Sequence, residues 1–135
     1  MTIQLSVALR NARANAIPAT IGASPVLRLR TGAPPSNCAS SDTGTALWSM
    51  TLSSAWATTA SSGQIAFANT PLSTNAAAQG TIGHYRLYAS DGVTCHKQGT
   101  VTITTGGGDL TVDNVSVNAG QVVSVNSWSI SEPSA

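Results

Sequence analysis

Between residues 81 and 104 polar and apolar side chains alternate on both sides of an Asp91-Gly92 pair, and no other feature constrains the fold as tightly. A period of two sends successive side chains to opposite faces of a strand. Asp-Gly supplies the left-handed backbone that a two-residue type I′ turn requires. The pattern predicts a hairpin of strands over residues 81–89 and 93–104, with Tyr88 opposite Cys95 and Leu87 opposite His96. Residues 25–31 alternate Leu27 and Leu29 against Arg28 and Arg30, and residues 45–52 place Ala46, Trp48, Met50 and Leu52 on one face. Shorter strands are expected at 64–69, 110–117 and 121–131. In the last of these the apolar phase shifts from Val123 and Val125 to Trp128 and Ile130. One extra residue near Asn126-Ser127, a β-bulge, restores a single buried face.

One helix is expected. Leu9, Ala12 and Ala16 recur at three and four, Ser6 can cap the first turn, and Gly22 can end the last. Pro18 removes a helical hydrogen bond and collides with the carbonyl four residues back, so the helix should run over residues 7–17 and kink or stop there. Residues 32–44 and 53–63 read as loops, and the polar, Ala-rich stretch before Gly80 as a connection. About seven or eight short strands at this spacing predict an all-β fold, a jelly-roll-like β-sandwich of antiparallel strands with one short N-terminal helix. The whole chain, residues 1–135, fits a single domain.

Composition narrows the function classes. Ala, Ser and Thr make up 55 of the 135 residues and only 8% are charged, so hydroxyls, amides and methyl groups must cover the surface. A net charge of +1 with no Lys/Arg run argues against a nucleic-acid partner. No apolar run is long enough for a membrane span, and the first residues lack the basic and apolar regions of a signal peptide. The expectation is a protein made in a reducing cytoplasm, where two cysteines, Cys38 and Cys95, stay unpaired unless the fold brings them within bridging distance.

Candidate chemistry is sparse. His84 and His96 are the only imidazoles. Cys95 and His96 point to opposite faces, and His84 lies roughly 13 Å along the sheet from Tyr88, the partner of Cys95, too far for one metal. No nucleophile elbow is present. Gly106 to Gly108 lead into Asp109 and a strand rather than into a phosphate-binding helix. No catalytic residue, metal or cofactor is expected. Trp48 and Trp128 fall in register with core residues, whereas Trp56, in a run of small residues, is expected at the surface as an interface anchor or part of a sugar-binding platform.

Four segments carry a resemblance: MTIQLSVALRNAR, IGASPVLRLRTGAPPSNC with SDTGT, GHYRLYASDGVTCHKQGTV, and GGGDLTVDN. They resemble the capsid cementing (decoration) proteins of tailed bacteriophages and proteobacterial prophages, of the Bordetella-phage type. The likeness spans residues 1–50 and 80–130; residues 53–80 match weakly, and Pro18 departs from the family's first helix. It implies a jelly-roll-like fold without catalytic residues and a homo-oligomer, a dimer before a trimer. It also implies binding to the outside of a shell of phage major capsid protein, on virions assembled in the host cytoplasm. A Ser/Thr-rich β module at a tail tip, gripping host surface glycan through Trp56, is the alternative.

Charge is unevenly placed: Arg10, Arg13, Arg28 and Arg30 precede the first acid, Asp42, while every carboxylate lies beyond. These arginines and Trp56 are the expected contacts with the capsid or a sister subunit, since arginine's planar fork pairs carboxylates bidentately.

Overall fold

The computed structural model describes residues 3–132. One helix, α1 (Val7–Ile21), precedes nine strands: β1 (Val26–Thr31), β2 (Ala46–Thr51), β3 (Gln64–Ala66), β4 (Leu72–Asn75), β5 (Gly80–Tyr88), β6 (Cys95–Ile103), β7 (Leu110–Val112), β8 (Ser116–Val117) and β9 (Val122–Ser131). The strands form one curled sheet in the order β2-β1-β5-β6-β7-β9-β3, with β4 also on β9 and β8 on β5. Curling brings the β2 edge round to the far side. Ala77 N–H donates to Leu47 O at 2.7 Å, and the Trp48 indole N–H reaches Thr74 O at 3.2 Å and Val123 O at 3.1 Å.

The mostly β architecture with a single helix is the expected one. The arrangement corrects one detail, since this single curled sheet is mixed rather than wholly antiparallel. β6 and β7 run parallel, with Val101 beside Leu110 and Ile103 beside Val112. Parallel neighbours ordinarily need a crossover of a dozen residues or more. Here residues 104–109 suffice because the loop doubles back flat against Thr102. A Cβ on Gly106 or Gly108 would sit 2.6 Å or 2.8 Å from that side chain. Gly108 N–H donates to Thr102 Oγ1 at 2.8 Å, and Asp109 takes Thr100 N–H at 2.9 Å.

Further expectations are adjusted. α1 runs through Pro18 to Ile21. Ser6 Oγ accepts Leu9 N–H at 3.2 Å, and Gly22 closes the helix at φ +87° with its N–H on Pro18 O. Ala14 and Ile21 are buried and Ile17 packs beside them, so burial of this face offsets the bond that Pro18 cannot make. The hairpin turn is longer than two residues. Ala89 pairs with Thr94, Gly92 N–H returns to Ala89 O, and only Gly92 has positive φ, so the type I′ geometry is absent. His96 is extra on β6, so Tyr88 faces Cys95 as expected but Leu87 faces Lys97. The expected 110–117 strand divides into β7 and β8, and β4 arises inside the supposed connection.

The bulge in β9 is where the phase shift places it. Thr111 pairs with Ser127 and Val112 with Val125, leaving Asn126 unopposed. Val123, Val125 and Trp128 thereby share the core with Leu27, Leu29, Trp48, Tyr85 and Leu87.

Candidate functional site

Strand β5 is buried on both faces: His84, Tyr85, Arg86, Leu87 and Tyr88 are all inaccessible. Odd positions enter the core, where Tyr85 lies beside Leu29 and Leu87 beside Leu27. Even positions join Arg28 and Arg30 of β1 and Gln98 of β6 on the outer face. What covers that polar face is the loop of residues 32–45, together with the 89–94 turn.

The covering is a set of side-chain clasps onto backbone carbonyls. His84 Nδ1 meets Gly32 O at 2.8 Å, Gln98 Nε2 donates to Pro35 O at 2.6 Å, and Arg86 Nη2 donates to Cys38 O at 2.8 Å. Arg30 Nε and Nη2 donate to Thr43 O and Gly44 O at 2.9 and 3.0 Å, and Arg28 Nη1 donates to Gly92 O at 2.7 Å. At the centre Asp42 accepts from the buried Arg86 guanidinium and, at 2.6 Å, from the Tyr88 hydroxyl, with Arg30 at 3.4 Å. Arg28 also lies over the Tyr88 ring, 4.8 Å from its centroid.

The electrostatics follow from this packing. Partial burial alone would raise the Asp42 carboxyl, but the Tyr88 and Arg86 hydrogen bonds and the charges of Arg30 and Arg86 outweigh it and hold it below the usual range. Burial pushes the His84 imidazole down; the bond to Gly32 opposes this, and Arg30 and Arg86 reinforce it. Because a carbonyl only accepts, Nδ1 carries the His84 proton, and Nε2 is the bare nitrogen, buried without a protein partner. Burial also raises Tyr88, as does its bond to Asp42. The ensemble is an ionised, hydrogen-bonded fastening with a neutral histidine, built to hold a loop.

The expected interface residues fall in three places. Arg28 and Arg30 belong to the fastening. Arg10 and Arg13 lie on α1 at the end of β9: Arg10 donates to Glu132 O and Ser62 O, both at 2.9 Å. Arg13 pairs with Glu132 at 3.0 Å while its side chain stays 50% exposed. The structure corrects Trp56. Its indole is 3% exposed, donates to Gly22 O at 2.9 Å, and packs 6.1 Å from both Phe67 and Trp128, centroid to centroid. The small residues around it let the chain fold this ring inward. Sequence reasoning missed Asp42, His84 and Arg86. The available signal was a His84/Arg86/Tyr88 face next to a long loop without large apolar residues to cover anything else.

Among the described residues no group of three or more His, Cys, Asp or Glu could hold a metal, and no helix is long and apolar enough to cross a membrane. Compared with family models, curated proteins and solved structures, the chain matches none.

Proposed function

We propose that this chain is a capsid decoration protein of a tailed phage, a homo-oligomer bound to the outer surface of a shell of major capsid protein and acting by binding alone. In this reading the curled sheet is the jelly-roll-like scaffold of the cementing family, here with one parallel pairing. The observation that carries it is spatial. Two of the four segments that resemble that family, residues 21–45 and 83–101, are distant in sequence yet form one continuous structure: β1, the covering loop, and the β5–β6 hairpin. The polar clasps between them hold loop and turn as a rigid surface, and rigidity reduces the ordering cost of binding.

The energetics suit cementing. A protein that binds the assembled shell and not the loose subunit stabilises the shell by RT ln(1 + [L]/Kd), about 2.7 kcal/mol per site at a hundredfold excess over Kd. Repetition over many sites resists internal pressure without chemistry. The glycan-binding alternative depended on Trp56, which is buried.

Mass spectrometry of gradient-banded virions tests the proposal. Copy numbers comparable to the major capsid protein are expected; a handful of copies per particle would place the chain at the tail or portal instead.

A further inference from the structure

Cys38 and Cys95 are separated by half of the covering loop and four strands, β2 to β5, yet both lie at the fastening. The Cys38 carbonyl is held by Arg86 at 2.8 Å. Cys95 opposes Tyr88 across the hairpin and so projects from the same outer face as Arg86, under the loop. Cys38 stands close enough to the Cys95 thiol to help raise it, and the Arg86 side chain that holds the Cys38 carbonyl lies beside both. Both cysteines are free and half-buried, and Cys38 lines an open cleft of about 380 Å³ together with Asp42, Arg86 and Val93. A small disulfide can therefore reach Cys38 from solvent.

We propose that Cys38 and Cys95 form an oxidisable pair that closes to an intramolecular disulfide, locking the covering loop onto β6. The proposal goes beyond the capsid reading and does not depend on it. With glutathione disulfide as the oxidant, the Cys38 thiolate attacks one glutathione sulfur, forming a mixed disulfide and releasing one glutathione thiolate. The Cys95 thiolate then attacks the Cys38 sulfur and expels the second. The two cysteine protons end on the two glutathione thiols, and the two electrons lost by the protein reduce the oxidant.

The order of attack follows from the surroundings. Burial, and then the adjacent Cys38, push the Cys95 thiol up to about 11, so it is protonated at neutral pH, while Cys38 faces the cleft. Capping Cys38 as the mixed disulfide removes the neighbouring thiol that helps keep Cys95 protonated. A reducing cytoplasm keeps the pair open, and an oxidising medium closes it.

The test uses the full-length protein, prepared reduced and incubated with glutathione disulfide. Free thiols, counted after unfolding, should fall from two to none. The intact mass should drop by two hydrogens, and proteolysis should yield a peptide joining Cys38 to Cys95. Cys95→Ser should trap a single glutathione adduct on Cys38. The oxidised form should melt on the order of 10 °C above the reduced form, because the bridge spans a long stretch of chain. Two thiols remaining, two glutathione adducts, or a disulfide between chains would each overturn the pairing. A bridged form with an unchanged melting temperature would overturn the locking.

Discussion

Arg86 is the residue on which the outer face depends: it is 2% exposed and binds the loop through both Asp42 and the Cys38 carbonyl. Removing one partner of a fully buried ion pair costs about 3–5 kcal/mol, because the surviving charge is left desolvated. Asp42 keeps 35% of its side chain exposed, so solvent screens part of that charge. Asp42→Ala should therefore cost about 2–3 kcal/mol, read as a lower urea midpoint at constant m. A loss under about 0.5 kcal/mol, the size of a surface pair, would show that the loop rests on its other clasps. His84 sets a pH response. Its folded-state pKa is depressed, so protons favour the unfolded chain, where the imidazole has its ordinary value of about 6.5. Stability from this group is complete above pH ~6.5 and falls as pH drops toward the folded value. Asp42, also depressed, adds its own loss only below pH ~4. His84→Asn keeps a donor for Gly32 and titrates nowhere in this range. It should flatten the melting-temperature profile between pH 6.5 and 5 and leave the decline below pH 4; identical slopes in both proteins would exclude His84 as the cause.

Elements were legible wherever a short-range rule applied. The β5–β6 hairpin, the β1 and β2 alternations, the Ser6 cap and the β9 bulge follow from period and turn chemistry, and the structure has all of them. What escaped depends on partners distant in sequence. β4 has a burial pattern too weak to read and exists because β9 offers an edge. α1 outlasts Pro18 because Ile17 and Ile21 have a core to enter. The parallel β6–β7 pair depends on glycines admitting the loop against Thr102. The outer-face fastening was half legible: its arginines were read as partners for carboxylates, but on the capsid or a sister subunit, because nothing local says that the 32–45 loop folds back over them. Gly83 tests this long-range fit. It sits where β1 breaks register with β5, and a Cβ there would lie 2.3 Å from the Gly32 carbonyl oxygen, a backbone atom that His84 also holds. Gly83→Ala should cost about 2 kcal/mol or more by overpacking and should speed amide exchange in residues 32–45 ahead of the core strands. A neutral substitution would mean that the loop can lift without loss.

For the whole molecule, the decisive quantity is how little charge remains for a partner. Arg10, Arg28 and Arg30 donate to the chain's own carbonyls, and Arg86 is buried, so their charges are already committed. Replacing Arg28 and Arg30 would loosen the turn and loop, and a loss of capsid occupancy would then report structure rather than contact. Arg13 is different. Its side chain is half exposed, and its partner among the described residues is Glu132 at 3.0 Å, 16% exposed, so solvent screens the pair from the arginine side and holds its contribution to about 0.5 kcal/mol. Arg13→Gln should thus leave the melting temperature within a degree or two of the native protein while removing the most exposed arginine. If α1 faces acidic ground on the shell, the variant should bind purified shells about threefold to tenfold more weakly at low salt. Its deficit should vanish at 0.5 M salt, since the Debye length there is only about 4 Å. The rest of the surface, covered with hydroxyls and methyl groups, predicts that the variant's own affinity barely changes with salt. Equal affinities for both proteins at low salt would take α1 out of the contact and, on the decoration-protein proposal, leave the neutral loop and turn around Cys38 and Val93 to meet the shell.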